Sequence, residues 1–216
     1  MIGDPLILAQ KDFKDGRIIF SKMKNNKIVL IGGGSGTKKS EKALTLQQAL
    51  YDYKKTTSLV ISLDDYYIVH PTIRDVNRKK QGLDSVGISE INWVRLETIY
   101  DTFINKEQDL NDTLNLTRTH KYLDAIEHVA VSSMAIDVLI FEGLYANYLR
   151  KRFTDSYSVF LEGTPQQTLE FRTLRAKEQP GNKFRQQVVQ KEFNVVCQLK
   201  KYADLIVPFE EIDDEK

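Results

Sequence analysis

The segment Gly32-Gly33-Gly34-Ser35-Gly36-Thr37-Lys38-Lys39-Ser40 stands directly between a β-branched run, residues 27–31, and a stretch with Ala43, Leu46, Leu50 and Tyr53 at helical spacing. A short apolar run stopped by glycines reads as a buried strand, and apolar spacings of three and four read as one face of a helix. A glycine-rich turn from strand to helix suits anion binding. Without Cβ atoms, backbone N–H groups can converge on an oxyanion, and the helix N-terminus adds partial positive charge. The spacing follows G-x-x-x-x-G-K-[ST] from Gly33, except that Lys38 stands where the pattern has its second glycine. On this reading Gly33, Gly34, Ser35, Gly36, Thr37 and Lys38 cradle phosphates, Lys39 neutralises the β- and γ-phosphates, and Ser40 offers a hydroxyl to Mg²⁺. ATP and Mg²⁺ are then the expected cofactors. Lys38 cuts two ways, because its Cβ crowds phosphates while its ammonium attracts them. Glu41 either repels phosphate or favours the helix's first turn. The rival reading is a glycine-rich turn that binds nothing.

Further short apolar runs occur at 58–62, 137–141, 156–161 and 203–207, the last closed by Pro208. Helical spacing is found at 17–24, 39–55, 90–105, 165–178 and 181–201. Strands alternating with helices predict an α/β fold: a parallel sheet of about five strands with helices on both faces. The 216 residues, 41% hydrophobic and 28% charged, suit one domain over 1–216, with a preamble at 1–26 and a lid near 165–185. A formal net charge of +1 provides no field that steers the chain to nucleic acid or membrane. Cys197 is the single cysteine, so no internal disulfide framework exists, and among Val195, Val196 and Leu199 it reads as a small core residue. No apolar run approaches the roughly 18–20 residues of a membrane span, and no basic n-region precedes an apolar core at the start. A cytoplasmic protein is the expectation; homo-oligomer formation is left open.

In such sheets ligands bind beyond the carboxyl ends of the strands. There the run 58–62 leads into Leu63-Asp64-Asp65-Tyr66-Tyr67. Asp64, the first acid after the strand, is the candidate base for an acceptor hydroxyl, and it lies within reach of a metal. Asp65 reads as a helix N-cap or turn residue, and solvated turn acids are the plain reading of both. Tyr66 and Tyr67 belong to the core or stack on a base. The run 137–141 ends in Glu142-Gly143, so Glu142 reads as a Walker B acid that holds Mg²⁺ directly or through water. Arg172 and Arg175, three apart on one helical face, suit a phosphate clamp, with Lys177 nearby and Pro180-Gly181 as a hinge; the rival is a basic surface helix. Arg74, Arg78, Lys79 and Lys80 form a solvated face or hold a phosphate-bearing substrate. His70 and His128 lack partners at metal-ligand spacing, which argues against zinc.

Taken in order over about residues 27–208, these elements resemble the uridine-kinase and phosphoribulokinase branch of P-loop kinases. They are the loop at 32–40, Asp64-Asp65-Tyr66-Tyr67, Phe141-Glu142-Gly143-Leu144, the arginine-rich lid, and the closing strand before Pro208. The stretches Gly3-Asp4, Arg175 to Gln179, Phe184-Arg185 and Ala203-Asp204 look like bacterial uridine-kinase-like proteins. The resemblance implies a P-loop NTPase-type fold and an ATP-dependent small-molecule kinase acting on a nucleoside (uridine-type) 5′-hydroxyl. It implies Asp64 as base, Lys39, Ser40 and the loop amides around ATP and Mg²⁺, Glu142 and Asp64 at the metal, and Arg172 and Arg175 as catalytic lid arginines. Tyr67, Asp84 and His120 would contact the nucleoside. The segment that should begin with an aromatic residue and an acid and end at His120 begins here with Asn115-Leu116, while Arg118 and Lys121 make it basic. An anionic acceptor, such as a sugar phosphate or sugar acid, therefore stands beside uridine, as does a vitamin. A degenerate nucleotide-binding regulatory protein is the reading that Lys38 and Glu41 motivate.

Overall fold

The computed structural model describes residues 1–3, 5–106, 112–174 and 182–209. Strands β1 (Ile28–Gly33), β2 (Ser58–Ser62), β5 (Val138–Glu142), β6 (Ser156–Leu161) and β7 (Leu205–Val207) form one sheet in the order β2-β5-β1-β6-β7. Every pairing in it is parallel. A parallel strand covered on both faces is a near-continuous apolar run, and β1 and β5 are buried throughout, β5 closing on the buried Glu142. Successive side chains point to opposite faces. Thus Ile28, Leu30, Leu139 and Phe141 pack on one side, while Val29, Ile31, Val138 and Ile140 pack on the other.

The two faces have different covers. On the Val29 side lie helices α1 (Gln10–Met23) and α2 (Lys39–Lys54), through Ile19, Met23, Ala43, Leu46 and Leu50. On the Ile28 side lie α4 (Trp93–Ile104), through Leu96, Ile99 and Phe103, and α6 (Lys183–Cys197), through Val196. The expected fold class is the observed one: a five-stranded parallel sheet with helices on both faces. No described helix is long and apolar enough to cross a membrane.

Four parts of the chain depart from the sequence expectations. α1 begins at Gln10, well before residue 17, and buries Asp12 and Asp15 along with Gly16. Acids on the buried face break the apolar period that marks a helix, so only its C-terminal half was visible. Gly16 lets α1 approach α2 closely, since a Cβ there would lie 2.6 Å from Thr45 Oγ1. The basic stretch after the tyrosines is helix α3 (Pro71–Gln81), started by Pro71 with His70 as N-cap. Residues left unassigned form an antiparallel hairpin, β3 (Thr113–Thr119) with β4 (Ile126–Ser132). The fourth expected helix is shorter in its described part, α5 (Leu169–Leu174).

Candidate active site

The glycine-rich loop leaves the carboxyl end of β1 and enters α2. Gly36 has φ +84°, and a Cβ on it would lie 2.9 Å from Thr168 and from Arg172 Cγ, so both conformation and space require glycine there. Lys38 caps α2 with φ 63° and ψ 35°, the left-handed conformation that the missing glycine would adopt without strain. Its Nζ lies 2.5 Å from Asp12 Oδ2 and 5.1 Å over the Phe171 ring. The ammonium is thus committed to α1, and what Lys38 offers a phosphate is its backbone N–H. Asp12 also receives Lys42 at 2.6 Å, and Lys42 reaches Asp15 at 2.5 Å. Burial, the strongest influence on Asp12, pushes its carboxyl up, but the bonds from Lys38, Lys42 and the Ala9 N–H outweigh it and hold the group below its usual range. Glu41 is fully buried and accepts the Ile7 N–H at 3.2 Å, so it fastens the preamble to α2.

Lys39 Nζ donates to the Gly34 carbonyl at 2.7 Å, closing the loop on itself. Ser40 Oγ donates to Glu142 Oε1 at 3.1 Å. Glu142 is the last residue of β5, in register with Ile31 and Ser62 of its two neighbours, so parallel pairing sets the acid beside the loop. Its pKa is raised, chiefly by burial and next by the charge of Asp64; a bond from Ser62 and the charge of Lys39 pull the other way. Asp64 lies in the single 3-10 turn Leu63–Tyr66 after β2 and lines the same cleft as Lys39, Ser40 and Glu142. Asp65 turns elsewhere: buried, it accepts the Thr119 N–H at 3.0 Å and faces Arg118 at 3.5 Å, fastening the hairpin instead of capping a helix. Burial raises its pKa.

The hydroxyl and carboxylates of Ser40, Glu142 and Asp64 are hard oxygen donors. They fit Mg²⁺, which keeps several waters and shares phosphate oxygens instead of taking an all-protein cage. Among the described residues no group of three or more His, Cys, Asp or Glu could hold a metal alone.

The cleft, about 460 Å³, continues from the loop to Tyr67, Arg74, Lys121, Tyr122, Arg185 and Glu192. The Arg74 guanidinium lies 3.5 Å from the Tyr67 ring centroid. Burial pushes the Tyr67 hydroxyl pKa up. Two expected contacts are absent from its walls. Asp84 is exposed in a 3-10 turn and pairs with Lys191 at 2.9 Å, which lowers its pKa. His120 pairs with Glu127 at 2.8 Å across the hairpin end, while the next two residues, Lys121 and Tyr122, line the cleft. Arg172 is buried behind the loop, its Nη1 2.5 Å from Thr168 Oγ1, and is not on the cleft wall. Arg175, Lys177 and the Pro180-Gly181 hinge lie outside the described residues. Arg185 and Asn182, at the start of α6, line the cleft and were not singled out as site residues. On the far side of the loop a second cavity, about 570 Å³, is lined by Thr37, Lys38, Phe171, Val207, Pro208 and Phe209.

No family model and no curated protein sequence matches the chain. Solved structures do. One described as a possible uridine kinase from Bacillus stearothermophilus is 18% identical with a TM-score of 0.52, covering 90% of this chain and 95% of its own. A D-glycerate 3-kinase from Cryptococcus neoformans is 13% identical with a TM-score of 0.55, covering 92% and 94%. A phosphoribulokinase from Rhodobacter spheroides is 9% identical with a TM-score of 0.58, covering 86% and 70%. At such identities the likeness is one of fold: this chain has the P-loop kinase fold seen in those structures.

Proposed function

We propose, from this P-loop kinase fold, that the chain is an ATP-dependent kinase that moves the γ-phosphoryl group to a hydroxyl of a small molecule. The observation that carries the reading is that Lys39, Ser40, Asp64 and Glu142, from three strand ends, line one cleft. Asp64 takes the proton of the acceptor hydroxyl as its oxygen attacks the γ-phosphorus and the bond to the β–γ bridging oxygen breaks, so that ADP leaves with that oxygen. The loop amides and Lys39, released from the Gly34 carbonyl, hold the phosphates in line. Ser40 and Glu142 would hold Mg²⁺, which supplies charge neutralisation for the phosphates when bound. The apolar walls of the second cavity, Phe171, Val207 and Phe209, suit the nucleotide's base. Replacing Asp64 with Asn should lower turnover by about a thousandfold or more while ATP binding persists. Near-normal turnover in that variant would sink the assignment.

The resemblance implies a uridine-type 5′-hydroxyl as acceptor. An anionic acceptor is favoured by a specific observation: Asp84 and His120 lie off the cleft wall, whereas Arg74, Lys121 and Arg185 are on it. The non-catalytic reading rests on Lys38 and Glu41. Calorimetry with ATP and Mg²⁺ tests it together with the kinase reading: binding without turnover on any acceptor favours a regulatory protein, and no binding at millimolar nucleotide rejects both.

A further inference from the structure

Two side chains at the acceptor end of the cleft each carry a buried polar atom with no hydrogen-bond partner among the described residues: Arg74 Nη2 and Glu192 Oε2. They come from α3 and α6, far apart in sequence. Arg74 is held from two directions. Its Nε donates to the Val69 carbonyl at 3.2 Å, and its guanidinium carbon lies 3.5 Å from the centre of the Tyr67 ring. That positions the fork before any ligand arrives, and a planar fork matches the two oxygens of a carboxylate or phosphate. Arg74 makes no ion pair among the described residues.

Glu192 is 2% exposed. Its Oε1 accepts from Arg78 Nη2 at 3.1 Å, and Arg78 also grips Glu90 at 2.8 and 2.9 Å. Arg78 thus holds one oxygen of Glu192 while gripping both oxygens of Glu90, one guanidinium shared between two carboxylates. Oε2 remains, and an ionised carboxylate oxygen can only accept. Whatever meets it must bring an O–H or N–H. Leaving such an atom buried without a donor is unfavourable, so a donor supplied by a ligand is bound with that gain.

Resting on the kinase reading, we propose that the cleft takes a polyhydroxy acceptor that carries an anionic group, with Arg74 holding the anion and Glu192 accepting a hydrogen bond from a hydroxyl that is not phosphorylated. Lys121 and Arg185 add positive potential to the same walls. The anion is a phosphate or a carboxylate, since both present paired oxygens to the fork.

The test is calorimetry on the full chain. ADP with Mg²⁺ is titrated first and kept saturating, so that added anions cannot occupy the phosphate loop. Three arms follow: ribose 5-phosphate and glycerol 3-phosphate; gluconate and glycerate; uridine and ribose. At least one compound of the two charged arms should bind about tenfold or more tighter than either neutral compound, as charge-assisted bonds predict. The favoured charged arm identifies the anion. Arg74→Gln should erase the preference, and Arg74→Lys should keep part of it. Glu192→Gln should weaken ribose 5-phosphate about tenfold and leave 2-deoxyribose 5-phosphate unchanged if the 2-hydroxyl is the partner; with gluconate, the corresponding deoxy acids take that role. Uridine or ribose binding as tightly as every charged compound overturns the subsite, as does an unchanged preference in Arg74→Gln. Equal loss for hydroxy and deoxy ligands across the set in Glu192→Gln reduces Glu192 to a structural part and overturns its role. Absence of ADP binding in the first titration rejects the kinase reading itself, which distinguishes that failure from the subsite's.

Discussion

The two ends of the cleft are built by different means. At the phosphate end, one continuous segment supplies loop, lysine and hydroxyl, and the neighbouring strand adds Glu142 through parallel register. At the acceptor end, Tyr67, Arg74, Lys121, Arg185 and Glu192 come from three separate stretches of chain: 67–74, the end of the hairpin, and α6. Backbone geometry makes the first end, and side chains brought together by packing make the second. A loop defined by backbone tolerates a change of side chain if the new one can be stored elsewhere. Lys38 is such a case, with its ammonium held by Asp12. An end made of side chains changes its ligand whenever a contributing segment changes.

Variants can break or sharpen this contrast. The largest effect is expected at the phosphate end: Lys39→Ala should lower turnover by about a hundredfold to a thousandfold, read by ADP release, because one charge acts at the transferring group. Next comes the storage of Lys38. Asp12→Ala strands the buried ammonium and should cost about 3 kcal/mol in urea unfolding. Lys38→Gly in that background should recover about 1 kcal/mol, by removing both the stranded charge and the left-handed strain. Failure of that rescue would mean that α1, and not Lys38, needs Asp12. Asp12 also gives stability a pH dependence. Its folded pKa lies below the ordinary 3.8, so its contribution is present above that value and fades as pH falls through the lower folded value.

Glu142 has the opposite sign. Its folded pKa lies above the ordinary 4.5, so the ionised group costs stability as pH rises past that value. Glu142→Gln should therefore melt higher than the parent protein near neutral pH without nucleotide, yet lose Mg²⁺-dependent turnover. The smallest effects belong to two residues that the resemblance puts at the nucleoside. Asp84→Asn and His120→Ala should each leave the urea midpoint, and the acceptor affinity in the same calorimetric arms, unaltered, because both pair with surface partners. A marked loss of acceptor binding in either would return the nucleoside contacts to the cleft.

Local sequence was enough for the central strands, the loop, and the acids at the strand ends. A strand buried on both faces must be a near-continuous apolar run, and a phosphate loop must be rich in glycine; neither requirement depends on distant residues. The same reasoning failed for α1, where Asp12 and Asp15 occupy a buried face because Lys38 and Lys42 meet them there. It failed for the hairpin, whose β4 is largely exposed and lacks a strong apolar alternation. It separated Asp64 from Asp65 only by order along the chain; packing against Thr119 is what removes Asp65 from the cleft. Arg74 stood in a basic run that reads equally as a solvated face or as a hold for a phosphate-bearing substrate, and only packing puts Tyr67 beneath it; Glu192 sat in a helix with no mark on it until Arg78 met one oxygen and left the other without a partner among the described residues. A residue's chemistry is written in its side chain, but its partners lie at long sequence separation, so which atoms remain unsatisfied, and therefore what the cleft can bind, is settled when the segments pack.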